Sequence, residues 1–253
     1  MPVAATKTST IRATLITHLE SGHQLDELTF RRLKAEIKKI PVDFEKIMLT
    51  PLLLAAYGQF EEANEQFKYG IGCYPNVHLY CDYITYLTHT IKFREAYQVS
   101  LNAYELFGRS YGALILEIVY KVCTHFMDGD TVLKVAHDLV ALKPDEEEQI
   151  MLMARDDADT IHKFISRSEV SPDIARVMMS EAYDIAAANK VELYQLKYMM
   201  FPNECGLVLC LNGITPEQAS DMNFELAMAF AEKDMVVPQT CSIWFEANEG
   251  LEK

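Results

Sequence analysis

Basic residues are scarce in this chain relative to acidic ones: of its 253 residues, 23 are lysine or arginine and 37 are aspartate or glutamate. The formal net charge is therefore −14. Nucleic acids and anionic membranes are bound through basic surfaces, so this charge argues against DNA, RNA and membranes as partners. The same acidity leaves a basic protein open as the partner.

Metal-type cysteine clusters and long apolar runs are absent as well. The six cysteines form no CxxC pair and no cluster with histidine at metal-ligand spacing. Most of them lie within apolar runs, where a free cysteine behaves as a small hydrophobic residue. The longest apolar run, IMLTPLLLAAY, has eleven residues, which is too few to span a bilayer. We expect a cytoplasmic protein with reduced thiols, although the acid-free first nineteen residues leave a targeting segment open.

Catalytic signatures are also missing. The chain contains no GxGxxG, no P-loop, no HExxH and no GxSxG. Its acidic stretches at residues 128–130 and 156–159 lack the spacing of a calcium loop. The sequence thus predicts no catalytic residue, no cofactor and no metal, and a protein that is not an enzyme.

The apolar residues between Ser9 and about Leu142 recur at spacings of three and four, which predicts a series of amphipathic helices. A short pattern repeats within them: GQFEEANEQF, residues 58–67, is followed 33 residues later by IKFREAYQVS, residues 91–100. Both copies carry a phenylalanine, a glutamate and an alanine at matching positions. A small alanine allows two helices to approach closely, and a neighbouring aromatic ring fills the gap beside it. The pattern therefore predicts repeated helical hairpins.

A period near 34 residues is that of the tetratricopeptide repeat, and residues 44–144 resemble this family. Five residues stand at the positions of its turn glycine, aromatic, small, aromatic and terminal proline residues: Gly58, Phe60, Ala63, Phe67 and Pro75. The chain departs from the pattern at Pro51, which replaces a small residue, and at Ser100, which replaces an aromatic one. The resemblance implies about three hairpins, and a helical bundle without repeats is the alternative.

In repeats of this family the first helices line a concave groove. The resemblance and the helical spacing together place seven residues on that inner face, in the second and third hairpins: His78, Cys81, Thr85, Thr88, His89, Tyr111 and Lys121. We expect this groove to bind a segment of a partner protein. A solvated helix face is the alternative for each of these residues.

The C-terminal part contains one helix pattern twice. SPDIARVMMSEAYDIAAAN, residues 171–189, resembles TPEQASDMNFELAMAFAEK, residues 215–233, at an offset of 44. Proline and an acid recur as helix-start residues. Four further identical pairs have no such explanation: Ala175/Ala219, Met178/Met222, Glu181/Glu225 and Ala187/Ala231. We expect the first two pairs to face a common sheet.

Four segments near these helices are predicted strands: residues 160–166, 191–201, 206–211 and 240–247. Their order resembles a ferredoxin-like βαββαβ fold, which is built from two split βαβ halves. The first segment, TIHKFIS, is polar for a central strand, and without it the remainder is an αββαβ unit with three strands.

The complete prediction is an α+β protein of two domains. Residues 1–158 form the tetratricopeptide-like helical domain, with N-terminal helices in residues 1–44 and an acidic linker in residues 145–158. Residues 159–253 form the ferredoxin-like sandwich. The acidity lies mainly in the later part, since residues 1–44 have a balance of +2 and residues 159–253 of −8.

The expected function is protein–protein interaction. An adaptor, a chaperone or a neutralising antitoxin or immunity protein would bind a basic partner in its helical groove, and the open face of the sheet would form a homo-oligomer. The alternative is a small-molecule sensor, with its site in the loop at residues 166–170, or an RNA-processing enzyme that uses His162.

Overall fold

The structure, a computed structural model, describes residues 7–233, 238 and 240–248. These residues form an α+β protein that is mostly helical and has one three-stranded mixed sheet. Contacts divide the chain into two compact units, residues 1–89 and residues 90–253. The boundary predicted between residues 158 and 159 is a different one and lies inside a helix. The second unit thus contains helices of the predicted repeat together with the sheet.

The described part of the first unit consists of five consecutive helices. They are α1 (Lys7–Ser21), α2 (Glu27–Lys38), α3 (Asp43–Ala56), α4 (Phe60–Cys73) and α5 (Val77–His89). The first nineteen residues are the ones for which a targeting segment is an alternative. Residues 1–6 lie outside the described residues, and the rest of that stretch is part of α1. The first unit is therefore all-helical where it is described.

Polar contacts join the helices of the first unit inside its core. The ring of Phe67 stacks on that of Tyr83 with centroids 5.0 Å apart, and the Tyr83 hydroxyl donates to Asn64 at 2.9 Å. Arg12 of α1 donates through Nε to the buried carboxylate of Asp82 in α5 at 2.9 Å. Burial raises the pKa of Asp82 even beside this guanidinium. Because a buried carboxylate needs a partner, this contact ties α1 to α5.

The second unit begins with helices and ends with the sheet. Its elements are α6 (Phe93–Phe107), α7 (Ala113–His125), α8 (Gly129–Leu142), α9 (Glu147–Ser168), α10 (Pro172–Ala188), β1 (Glu192–Met200), β2 (Cys205–Asn212), α11 (Pro216–Glu232) and β3 (Cys241–Ala247). Short 3-10 turns at Gly108–Tyr111 and Pro144–Glu146 precede α7 and α9.

The turns before α4, α6 and α8 share one backbone geometry. The residue two positions before each helix has a positive φ: Gly58 at 89°, Ile91 at 57° and Met127 at 56°. Glycine adopts this conformation without strain, whereas the β-branched Ile91 does so at a cost. Ile91 and Met127 are both buried, so packing holds them there. The short sequence pattern that repeats after 33 residues therefore reflects a recurring helix–turn–helix geometry.

The sheet has the strand order β1-β2-β3. Strand β1 is antiparallel to β2, and β2 is parallel to β3, with α11 as the crossover. Because β2 and β3 are direct neighbours, the second βαβ half is not split by another strand. The three-stranded αββαβ arrangement is therefore the one that the described residues form.

The first predicted strand is wrong, and so is the acidic linker. Residues 160–166 and most of residues 145–158 belong to the 22-residue helix α9. The residues of α9 that are buried recur at spacings of three and four: Met151, Ala154, Ala158, Ile161, Phe164 and Ser168. TIHKFIS continues this helical stripe. As part of α9 the segment buries its apolar residues, which a lone strand would leave exposed.

Helices α10 and α11 match each other in length, start and buried positions, as the repeated helix pattern predicts. Both have 17 residues, and they begin at Pro172 and Pro216, 44 positions apart. Ser171 caps the first helix and Thr215 the second, where Gln218 completes a capping box. The four residues predicted to face the sheet are buried in one apolar cluster with strand residues such as Leu207: Ala175, Met178, Ala219 and Met222.

Candidate protein-binding surfaces

The seven predicted groove residues are divided between the two units. Within α5, His78 and His89 are exposed, and Thr85 and Thr88 are partly exposed. Cys81 is buried instead, and burial raises the pKa of its thiol to about 12. A buried neutral thiol is not available to a partner at the surface, so Cys81 is a core residue.

The other two predicted residues lie in the second unit. Tyr111 is exposed and belongs to the 3-10 turn before α7, not to a first helix as expected. Lys121 is exposed on α7. The remaining six residues stay a predicted set, with four in the first unit and two in the second.

A different surface stands out on α11. Its sheet-facing side buries Ala219, Met222 and Leu226. The opposite side is also apolar and lies in solvent: Phe224 is 70% exposed and Met228 is 46% exposed. These two residues belong to an exposed stripe at helical spacing: Phe224, Ala227, Met228 and Ala231. We call these four residues the α11 stripe. A helix that is apolar on two opposite sides usually has a partner on each of them.

Acidic side chains border one side of the α11 stripe. At 3.6 residues per turn, Asp221, Glu225 and Glu232 fall along the same flank of the helix, and all three are exposed. Glu225 accepts a hydrogen bond from the side chain of Asn189 at 3.2 Å. The sequence of α11 contains four acids and no lysine or arginine. The stripe therefore combines apolar contact area with a negative field.

The corresponding side of α10 is largely covered by helices of the same unit. At an offset of 44, Phe224 and Glu225 correspond to Ser180 and Glu181. Arg94 of α6 donates to the hydroxyl of Ser180 and to the carboxylate of Glu181, the latter at 3.1 Å. At the border of this contact, Arg94 lies 3.0 Å from Asp184, the counterpart of Met228, whose side chain is 53% exposed. This side of α10 is thus a docking face for another helix.

Aromatic rings complete the docking of α10. Tyr183, the counterpart of Ala227, is buried and stacks on Phe93 with centroids 4.3 Å apart. Its hydroxyl donates to the carbonyl of His125 at 3.2 Å. Burial raises the pKa of Tyr183 well above its ordinary value and lowers that of the His125 side chain. Both groups are therefore neutral parts of a packed interface between helices.

A second candidate site is the cavity of about 550 Å³ beside β3. The polar residues that line it are Lys197, Cys210, Ser220, Asn223, Glu246 and Asn248. Most of them already have partners: Lys197 lies 3.6 Å from Glu246, and the Cys210 thiol donates to Glu246 at 3.8 Å. The Asn223 side chain both donates to and accepts from the backbone of Phe245. These internal contacts favour a structural role for the cavity wall.

The residues proposed for the alternative functions do not assemble as expected. Because residues 160–166 are helical, residues 166–170 do not connect a strand to a helix. His162 lies on α9, where its Nε2 is 3.4 Å from the carboxylate of Asp130. In the described part of the chain no group of three His, Cys, Asp or Glu residues could hold a metal ion. No described helix is both long enough and apolar enough to cross a membrane.

Sequence reasoning missed the α11 stripe, although its signal is present. Positions 224, 227, 228 and 231 have the spacing of a helix face, and they lie opposite the face shared with α10. Comparisons of the chain with protein-family models, with curated proteins and with solved structures found no match. The function of the protein is therefore inferred from its surfaces alone.

Proposed function

We propose that this protein acts without catalysis, by protein–protein recognition, and that the α11 stripe binds a helical segment of its partner. The observation that carries the proposal is the difference between the duplicated helices. The outer side of α10 binds helix α6, whereas the equivalent side of α11 is apolar and exposed. An exposed helix face at the position equivalent to a covered one is suited to the same kind of occupant, a helix.

The contact between α10 and α6 serves as a template, and it also defines the chemistry of the partner. Glu225 stands where Glu181 stands, and Glu181 binds Arg94. We expect the partner helix to place an arginine or lysine near Glu225, and apolar or aromatic side chains over Phe224 and Met228. The acidic flank of α11 would attract the basic side chain of such an amphipathic helix. An adaptor, a chaperone or a neutralising protein of antitoxin type would use a surface of this kind.

The finer family assignments belong to this proposal. The shared turn geometry before α4, α6 and α8 supports a tetratricopeptide-like series between residues 44 and 144. The exposed residues of α5 would then form part of a second recognition surface. The αββαβ arrangement supports a shortened relative of the ferredoxin-like fold. A cytoplasmic location remains part of the same proposal.

A helix-stabilised, fluorescently labelled peptide with the α6 sequence FREAYQVSLNAYELF provides the test. We expect saturable binding to the full chain by fluorescence anisotropy, because this sequence carries the arginine and the aromatic residue that the template requires. Phe224→Asp should weaken binding at least tenfold, since it places a charge in the centre of the apolar contact.

Charge exchange separates docking on α11 from binding elsewhere. A peptide with Arg94→Glu should bind the unaltered protein poorly and regain affinity for the Glu225→Lys variant. Absence of saturable binding, or equal binding to the Phe224→Asp variant, would overturn the proposal.

A further inference from the structure

The sheet has a second face, whose residues lie outside the apolar cluster that the first face forms with the helices, and we call it the open face. Alternate residues of a strand point to opposite faces. In β2, Cys205, Leu207, Leu209 and Leu211 belong to the apolar cluster formed with α9, α10 and α11. Gly206, Val208 and Cys210 point the other way. Their neighbours in register are Ser242, Trp244 and Glu246 on β3, and Met199 and Lys197 lie opposite Gly206 and Val208 on β1.

The centre of this open face is apolar and contains Trp244, the single tryptophan of the chain. Its ring lies on the bare backbone of Gly206, where an added Cβ would be 2.4 Å from a ring carbon. Val208 and Cys210 on the central strand are buried, and Trp244 and Met199 on the neighbouring strands are partly exposed. Phe201, which directly follows β1, is 52% exposed. Tryptophan is enriched among the residues that dominate binding energy at interfaces.

The charges at this face nearly balance: Lys197 and Glu246 oppose each other, and Glu204, which accepts a hydrogen bond from the Ser242 hydroxyl at 3.4 Å, adds one negative charge. The side chain of Lys197 is 47% exposed and that of Glu246 is 55% exposed, with 3.6 Å between the ammonium and the carboxylate. The rest of the second unit is strongly acidic. Residues 1–89 hold nine basic and ten acidic residues, which leaves 14 and 27 for residues 90–253, a balance of −13. Two copies of this unit repel each other over most of their surface, and much less at the open face.

The edges of the sheet are less suited to pairing with another chain. Asn223 already binds the N–H and the C=O of Phe245 with its side chain, at 2.7 Å and 3.0 Å, and so blocks that part of the β3 edge. On the other edge, a bulge between Leu193 and Gln195 interrupts the regular ladder of β1. Both features protect edges against strand addition, so a second chain is expected on the face.

We infer that the open face binds the same face of a second copy of this chain. In a two-fold arrangement each copy presents both a lysine and a glutamate, so Lys197 of one copy pairs with Glu246 of the other. The rings of Trp244 and Phe201 and the thioether of Met199 fill the centre of the contact. This inference is independent of the α11 stripe, which lies on the helical side of the sheet.

Charge reversal tests the arrangement on the full chain. Lys197→Glu leaves two glutamates at the face, and Glu246→Lys leaves two lysines. By sedimentation velocity we expect the unaltered protein to dimerise, and each single variant to have a dimer dissociation constant at least tenfold higher because of like-charge repulsion. An equimolar mixture of the two variants should dimerise again, because every contact then joins a lysine to a glutamate.

The mixture also controls for folding, since a variant that fails to fold cannot restore association. Trp244 emission should shift to longer wavelength on dilution as the dimer dissociates and the ring enters water. Phe224→Asp should leave the dimer intact, so loss of the peptide site and loss of the dimer can be distinguished. A monomeric unaltered protein, or a mixture that remains monomeric, would overturn the inference.

Discussion

Helices α10 and α11 have the same length, begin with the same kind of cap and bury the same alanine and methionine positions against the sheet. On their outer sides they differ. Tyr183 and Glu181 of α10 bind α6 and α7, whereas Phe224 and Glu225 of α11 face solvent. A duplicated element can thus keep one face for the core while the other face is used for intramolecular packing in one copy and remains free in the second.

The largest expected effect distinguishes the two outer aromatic residues. Tyr183→Ala should lower the free energy of unfolding of the second unit by about 4 kcal/mol, because it leaves a cavity between α10 and α6. Phe224→Ala, on the exposed side of α11, should change it by less than about 0.5 kcal/mol. Urea unfolding followed by Trp244 fluorescence measures both, since Trp244 lies in the same unit.

Tyr183→Phe is the matched control for this comparison. It retains the ring and removes only the hydrogen bond to His125, for an expected loss of about 1 kcal/mol. Similar losses for Tyr183→Ala and Phe224→Ala would contradict the assignment of a covered face to α10 and an open face to α11.

The second comparison uses the two aligned glutamates. Glu181→Gln removes the carboxylate that binds both Arg94 and Lys233, the latter at 2.5 Å, from a position where its side chain is only 8% exposed. Because both cations are half exposed and can be hydrated, we expect a loss of about 2 kcal/mol rather than the full cost of a buried charge.

Glu225→Gln is the control at the equivalent position of α11, and its effect on unfolding should stay within about 0.5 kcal/mol. High salt should reduce the difference between the unaltered protein and Glu181→Gln in the same urea titration, because screening weakens ion pairs at partly exposed sites. An equal loss in the two variants would show that Glu225 is not free for a partner.

The smallest effect should be the same in both helices. Ser171→Ala and Thr215→Ala each remove a side chain that accepts a hydrogen bond from the backbone N–H at the third helical position. We expect each to cost about 1 kcal/mol in urea unfolding. Ser171→Thr and Thr215→Ser retain the cap and should restore most of the loss. Unequal costs would show that the two helix starts are not equivalent.

Much of the second unit could be predicted from local patterns. The strands β1, β2 and β3, the starts of α10 and α11 and the burial of Met178 and Met222 all followed from residues within one element or its duplicate. The error at TIHKFIS arose because seven residues were interpreted without the stripe that extends upstream to Met151. A helix and a strand of seven residues bury similar numbers of apolar residues. Only the periodicity over a longer segment distinguishes the two structures.

The predicted groove shows a different limit. Helical spacing placed Cys81 beside His78 and Thr85, but it could not show that the Cys81 position is covered while His78 is exposed. Burial on a helix depends on which neighbours pack against it, and those neighbours come from distant parts of the chain. The division between His89 and Thr90 depends on such contacts as well.

The amino-acid sequence alone determined where α10 and α11 begin, how long they are and which alanine and methionine residues face the sheet, because helix-start residues and helical periodicity are local. Only the tertiary structure decided which outer face is covered. Arg94 and Ser180 are 86 positions apart, and no local pattern in α10 specifies that α6 will lie there. The α11 stripe is a candidate binding surface because the equivalent face of α10 is largely covered by α6 and α7.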